Sequence, residues 1–291
     1  MSTHQNCLVC NSTNITPMSG YEESYLVKCA NCTFVFAQKI PTEKELNDHY
    51  SKTYTREDYL SPITVKRYHE LLDRFEAYRS TNRILDIGCG VGYFLDVAKE
   101  RGWDVYGTEF TDESMKINSA KGFKMNQGKL DANKYESSSF DIVTSFEVIE
   151  HIYNPREEIT QVKTILRSGG LFYCTTPNFN SLSRWQLKEK WNVIVFPEHL
   201  SYYTPKSMHQ LLSSFNMEKK EVLTTGISIT RFKKSHDKTI IESHITGESS
   251  DEKLRVQIES KWYMGLIKGI INSSLTLFGI GDSLKVMYVK K

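Results

Sequence analysis

The chain has 291 residues, of which 39% are hydrophobic and 25% charged, and its net charge is +2. Those proportions fit a soluble enzyme with one large domain and a small appendage. They exclude a disordered chain, a strongly basic nucleic-acid binder and an acidic tail. No basic region leads into an apolar run at the N-terminus, and no stretch reaches the roughly 20 apolar residues of a membrane span, so a cytoplasmic location is expected.

In chain order, two Cys-x-x-Cys pairs come first, Cys7/Cys10 and Cys29/Cys32, with 18 residues between them. Each pair forms a tight knuckle that offers two sulfurs, and two knuckles match a four-thiolate zinc site. Four sulfur ligands leave no open position, so such a zinc is structural. A segment of about 40 residues has too little core to fold without a clip of this kind. Residues 1–40 are therefore read as a zinc ribbon. Its lysines, Lys28 and Lys39, are balanced by Glu22 and Glu23, and zero net charge argues against RNA contact.

Residues 41–80 are polar and aromatic, and Val65, Tyr68, Leu71, Leu72 and Phe75 fall at helical spacing, which predicts a connecting helix and cofactor cover. From residue 81 to 291 strand and helix signals alternate. Strands are expected at Arg83–Ile87, Trp103–Thr108, Asp141–Phe146, Leu171–Thr176, Glu221–Thr225 and Leu284–Val289. Helices are expected at Tyr93–Glu100, Asp112–Ala120 and Lys206–Phe215, and from the cap Asn154-Pro155 to Gly169-Gly170. That alternation predicts an α/β fold with a doubly wound, mostly parallel sheet. Residues 231–281 are read as a mainly helical insertion. In it Trp262, Leu266, Ile267, Ile270, Ile271 and Phe278 form an apolar face packed on the core, with peripheral membrane contact or a dimer interface as alternatives.

The segment Asp86-Ile87-Gly88-Cys89-Gly90-Val91-Gly92-Tyr93 carries the most information. Glycines at alternate positions let the backbone approach a ligand closely. A dinucleotide fingerprint requires glycine at position 93, where this chain has Tyr93. The carboxylate of Asp86 repels a pyrophosphate and attracts an amino group or a sulfonium. One strand–helix–strand unit later, Glu109 ends the second strand, where an acid can accept hydrogen bonds from ribose hydroxyls.

These residues resemble the class I S-adenosylmethionine-dependent methyltransferases, from about residue 40 to 230 and again at the last strand. The resemblance implies a seven-stranded, Rossmann-like sheet and S-adenosylmethionine as cofactor. It implies that Asp86, Gly88, Cys89, Gly90, Gly92 and Phe94 surround the methionine part, that Glu109 and Phe110 hold the ribose side, and that Leu130 and Asp131 lie near the adenine. Many relatives carry an acid directly after the glycine at position 128, where this chain has Lys129, and the acid is shifted to Asp131. Tyr50, Tyr54 and Tyr59 lie where relatives close over the cofactor.

The segment from Phe146 to His151, Phe-Glu-Val-Ile-Glu-His, is similar to that of ubiquinone-biosynthesis-type and sugar-modifying methyltransferases. There Phe146 and Glu147 border the cofactor, and the histidine stands at the acceptor. An alcohol becomes a competent nucleophile as its proton is removed, and histidine suits that task near neutral pH. His151 is the expected base, with Glu150 orienting it. Pro197-Glu198-His199-Leu200-Ser201-Tyr202-Tyr203 resembles a segment of relatives with an N-terminal zinc ribbon; Glu198 and His199 are read as a loop-anchoring hydrogen-bond pair or as ligands of substrate hydroxyls, with His199 a second candidate base. Trp185 and Trp191 are read as core or lid packing, with stacking on a sugar face as the alternative.

Cys89 and Cys174 read as small buried residues. The expected acceptor is a hydroxyl of a sugar, glycan or other small metabolite. RNA, carbon methylation of a nucleotide sugar, and a non-catalytic scaffold are the alternatives.

Overall fold

The computed structural model describes residues 2–42, 44–46, 60–227 and 262–291, and in the last helix the side chains from Gly265 onward. Tyr50, Tyr54 and Tyr59 of the expected cofactor cover, and positions 231–261 of the expected insertion, lie outside the described residues. The chain divides into two compact units. One comprises Met1–Ile63, Pro177–Ser207 and Leu223–Leu284. The other comprises Thr64–Thr176, Met208–Val222 and Lys285–Lys291.

The strands are β1 (Ile15–Pro17), β2 (Leu26–Cys29), β3 (Val35–Ala37), β4 (Arg83–Ile87), β5 (Asp104–Glu109), β6 (Lys124–Gln127), β7 (Phe140–Phe146), β8 (Leu166–Pro177), β9 (Ser201–Tyr202), β10 (Met217–Thr225) and β11 (Ser283–Lys290). Seven of them form a mostly parallel sheet in the order β10-β11-β8-β7-β4-β5-β6. Ile84 pairs with Val105 on one side and with Ile142 on the other, both in parallel. Because helices cover both faces of such a sheet, its central strands are buried on both sides, their few polar residues included. In β7 every residue from Phe140 to Ser145 is buried.

The helix Tyr93–Glu100 buries Phe94, Leu95, Val97 and Ala98. The helix Pro155–Ile165 opens as expected, with the Asn154 side chain accepting from the Glu157 amide at 3.3 Å and Pro155 in the first turn. Phe75, at the end of the helix Pro62–Phe75, is fully buried, with ring centroids 6.5 Å from Phe94 and 5.7 Å from Tyr173.

Three expectations are corrected. The helix opened by Asn154 stops at Ile165, before Gly169-Gly170, because Leu166 already pairs with Phe140. The next pair is Ile142 with Leu171, so residues 167–170 bulge out of the ladder and carry Arg167 to 2.5 Å from the buried Asp141 carboxylate. Strand β6 was not expected, since Lys-Met-Asn-Gln lacks strand formers; pairing with β5 (Tyr106 to Lys124) imposes it. In the helix Trp262–Phe278 the expected core face is exposed, with Leu266 at 60%, Ile270 at 68% and Phe278 at 67%, whereas Leu275 is buried.

The first unit contains a four-stranded sheet, β1-β2-β3-β9, with all three pairings antiparallel. The N-terminal cysteine segment supplies three strands and Ser201–Tyr202 the fourth. Leu26, Val35 and Ala37 pack in one apolar cluster with Trp191, Val193, Leu200 and Tyr202.

Removing the Phe75 ring leaves a cavity that the rigid sheet cannot close. Phe75→Ala is expected to cost about 3–5 kcal/mol in a denaturant titration. A loss below about 1 kcal/mol contradicts the packing described.

Candidate active site

Strands β4, β5 and β7 are parallel neighbours, so their carboxyl ends lie on one edge of the sheet, where open α/β folds bind ligands. Asp86, Glu109, Glu147 and His151 all come to that edge. The Asp86 carboxyl is buried, and its Oδ1 accepts from the Thr144 hydroxyl at 2.7 Å. Burial pushes it up to about 7 against the pull of that hydrogen bond, and the negative charge of Glu109 adds to the rise.

Glu109 is also buried. Its Oε1 accepts from the amides of Phe110 at 2.7 Å and Thr111 at 3.1 Å, and its Oε2 from the amide of Gly90 at 2.9 Å. A carboxylate has about four acceptor positions. Three are taken here, which leaves Oε2 the capacity for a further donor. Phe110 beside it is 66% exposed.

The glycine turn separates two needs. Gly88 has φ +63°, and a Cβ there meets Val148 Cγ2 at 2.8 Å, so the turn packs on the chain that follows β7. Gly90 has φ +54°, and its Cβ position has no atom within 4 Å. It faces open space. Asn118 clamps the turn from below by donating from Nδ2 to the Gly90 carbonyl at 2.7 Å. Asn118, Thr144 and Val148 were not singled out in the sequence, because a buried amide, a strand hydroxyl and a valine carry no pattern that marks a site. Cys89 lies in the turn, half-buried, its thiol pushed up by burial.

Phe94 is buried and packs 4.9 Å from Phe146, so it contributes to the core beneath the turn. Leu130 is buried, and Asp131 accepts from the Asn133 amide at 3.1 Å, capping the short turn Ala132–Lys134. Lys129 is drawn to Glu157 at 2.9 Å.

At the end of β7, Glu147 is exposed with φ +53°, a left-handed conformation costing a non-glycine residue about 1–3 kcal/mol and concentrated at functional sites. Glu150 is buried and accepts from the Thr176 hydroxyl at 3.0 Å, tying this turn to the end of β8. That bond suits a residue that holds its neighbour. His151, half-buried, closes the short helix Ile149–His151, its amide donating to the Val148 carbonyl at 2.9 Å.

His199 belongs to the other unit, with its Nδ1 2.6 Å from the Val193 carbonyl oxygen. In the same unit Trp191 is buried among apolar side chains, while Trp185 is 47% exposed.

The four N-terminal cysteines converge with all sulfurs within 4.8 Å of one another, Cys7 to Cys32 at 3.4 Å and Cys10 to Cys29 at 3.5 Å. A tetrahedral zinc with sulfurs at about 2.3 Å spaces them about 3.8 Å apart, so the cradle fits that ion. The separations are too long for disulfides. The contact between the Cys7 and Cys32 sulfurs favours ionisation of one of the two, drawing Cys7 down and pushing Cys32 up.

A family model described as a methyltransferase domain matches residues 58–222, more than half of the chain. A ubiquinone biosynthesis O-methyltransferase of Idiomarina loihiensis is 31% identical over 137 residues, covering 44% of this chain and 53% of that protein. Its namesake in Roseobacter denitrificans is 27% identical over 161 residues, covering 53% and 62%. The chain thus spans little more than half the length of these two relatives. Among solved structures, a SAM-dependent methyltransferase from Archaeoglobus fulgidus shares the fold with a TM-score of 0.52 at 18% identity, covering 78% of this chain and 93% of that one.

The two glycines predict different failures. Gly88→Ala, strained and clashing with Val148, is expected to cost about 2–4 kcal/mol in thermal unfolding. Gly90→Ala, whose methyl enters open space, is expected to cost only about 1 kcal/mol. Equal losses contradict the geometry.

Proposed function

Because the chain belongs to the methyltransferase-domain family, we propose that it transfers a methyl group from S-adenosylmethionine to a hydroxyl of a sugar, glycan or other small metabolite. The buried carboxyl of Asp86 carries this reading. Among the described residues no basic side chain forms an ion pair with it, and a cationic ligand at the carboxyl edge satisfies it. The residues fit the cofactor: Gly90 leaves room, Glu109 retains an acceptor position for a ribose hydroxyl, and exposed Phe110 offers an apolar wall. When bound, S-adenosylmethionine supplies an electrophilic methyl on a positively charged sulfur.

The chain's own contributions follow from its side chains. Asp86 attracts positive charge, and Glu109, fixed by three amides, orients the nucleoside without having to reorganise. His151 takes the acceptor's proton as the hydroxyl attacks, and Glu150, bonded to Thr176, keeps the turn that carries it in place. His199, on the Pro-Glu-His-Leu segment, serves acceptor binding. The four thiolates hold a structural zinc, and none of them takes part in the transfer. Lys28 and Lys39 balanced by Glu22 and Glu23 favour a small acceptor over RNA.

Calorimetry with S-adenosylhomocysteine tests the cofactor. Binding is expected, and none at millimolar ligand overturns the proposal. Glu109→Ala should weaken it by about 1–3 kcal/mol. His151→Ala should bind normally but turn over ~10²–10⁴-fold more slowly, and unchanged turnover removes His151 as base.

The pH dependence has a definite sign. The folded Asp86 carboxyl titrates near 7, above its ordinary value, so it holds its proton below that pH, and the unliganded fold loses stability as the pH rises toward 7. A cation favours the ionised form. Affinity for S-adenosylmethionine should therefore fall as the pH drops below about 7, by up to about tenfold per unit, and Asp86→Asn should flatten that slope. An unchanged slope in the variant refutes the assignment.

A further inference from the structure

One contact identifies the tautomer of the His199 ring. Its Nδ1 lies 2.6 Å from the Val193 carbonyl oxygen, and a carbonyl oxygen only accepts, so Nδ1 carries the proton. In the neutral ring the lone pair then resides on Nε2. The surrounding loop closes on itself as well. The His199 amide donates to the Val195 carbonyl at 2.8 Å, and the Tyr202 hydroxyl donates to the His199 carbonyl at 3.1 Å.

What holds this loop is the cysteine segment. The Ala37 amide donates to the Leu200 carbonyl at 2.8 Å, and Phe36 and Val35 pair with Ser201 and Tyr202 of β9. Phe34 packs on Tyr203 with ring centroids 5.1 Å apart. A strand of two residues does not persist without the edge it pairs with. That edge, β3, is held in turn by the β2–β3 hairpin, whose turn is the Cys29–Cys32 knuckle. The Thr33 amide donates to the Cys29 carbonyl, and the Cys29 amide to the Phe34 carbonyl, both at 2.9 Å. Two of the four sulfurs therefore sit at the bend that presents the edge for β9.

We propose that the four-cysteine metal clip is a positioning device for His199: by closing the β2–β3 hairpin it holds the edge on which Ser201–Tyr202 pairs, and so fixes the Nδ1-protonated ring. This goes beyond a clip that merely stabilises its own ribbon. Only the use of Nε2 toward an acceptor rests on the proposed methyl transfer; the coupling between metal and ring stands without it.

The full chain with ¹⁵N-labelled histidine, loaded with zinc or stripped by a chelator under reducing conditions, provides the test. Long-range ¹H–¹⁵N spectra report the tautomer, and the His199→Gln spectrum assigns the signal. With zinc, His199 should show a protonated Nδ1. Stripping should abolish that signature and raise amide exchange over residues 34–37 and 200–203 together, by at least about a hundredfold, while residues 84–87 and 142–146 stay protected. Ala37→Pro keeps all four cysteines but deletes the amide that donates to Leu200. It should still take up one equivalent of cobalt(II) with thiolate-to-metal absorption, yet lose the His199 signature.

Persistence of the Nδ1 proton and of protection at 200–203 in the stripped protein overturns the proposal. So does persistence of the signature in metal-loaded Ala37→Pro. Absence of S-adenosylhomocysteine binding to the native protein sinks the methyl-transfer reading and leaves this coupling standing, so the two failures are separable.

Discussion

Three hydrogen bonds, from the Gly90 amide to Oε2 of Glu109, from the Cys89 amide to the Thr108 carbonyl and from the Gly88 amide to the Thr108 hydroxyl, join the turn after β4 to the tip of β5. They bring two acids into one neighbourhood, Asp86 behind the turn and Glu109 in front of it. Such a pair is costly in an empty protein, since burial and mutual repulsion oppose ionisation, and the raised Asp86 carboxyl is the result. The cost is offset when positive charge arrives. The proposed guest, cationic and hydroxyl-bearing, suits both acids.

Much of this was legible in the sequence. The helix start at Asn154-Pro155 is written in capping chemistry, and β4 and β7 in short runs rich in isoleucine, leucine, valine and phenylalanine. Asp86 and Glu109 could be placed because strand–turn–helix punctuation locates strand ends even when boundaries slip by a residue or two. What stayed hidden depends on partners distant in the chain. Strand β6 exists because β5 offers an edge, and Asn118 matters because the turn folds over it. The early start of β8 at Leu166 follows from its pairing with Phe140, which the Gly169-Gly170 signal obscured.

The N-terminal cysteines teach a related lesson. Their spacing suggested a metal knuckle, and the sulfurs do converge. Nothing in the spacing indicated that the sheet of this segment is completed by two residues more than 160 positions later. A two-residue strand has no periodicity to detect. The cysteine segment and the loop of His199 belong to one compact unit and share a sheet.

We propose that the carboxyl edge of the sheet takes a sulfonium nucleoside between Asp86 and Glu109. A crystal structure of the complex with S-adenosylhomocysteine tests it most directly. A ribose hydroxyl is expected within hydrogen-bonding distance of Glu109 Oε2 and the amino group of the ligand on the Asp86 side of the turn, with the ligand passing close over Gly90. A ligand bound elsewhere, with side chains filling the space above Gly90, contradicts it.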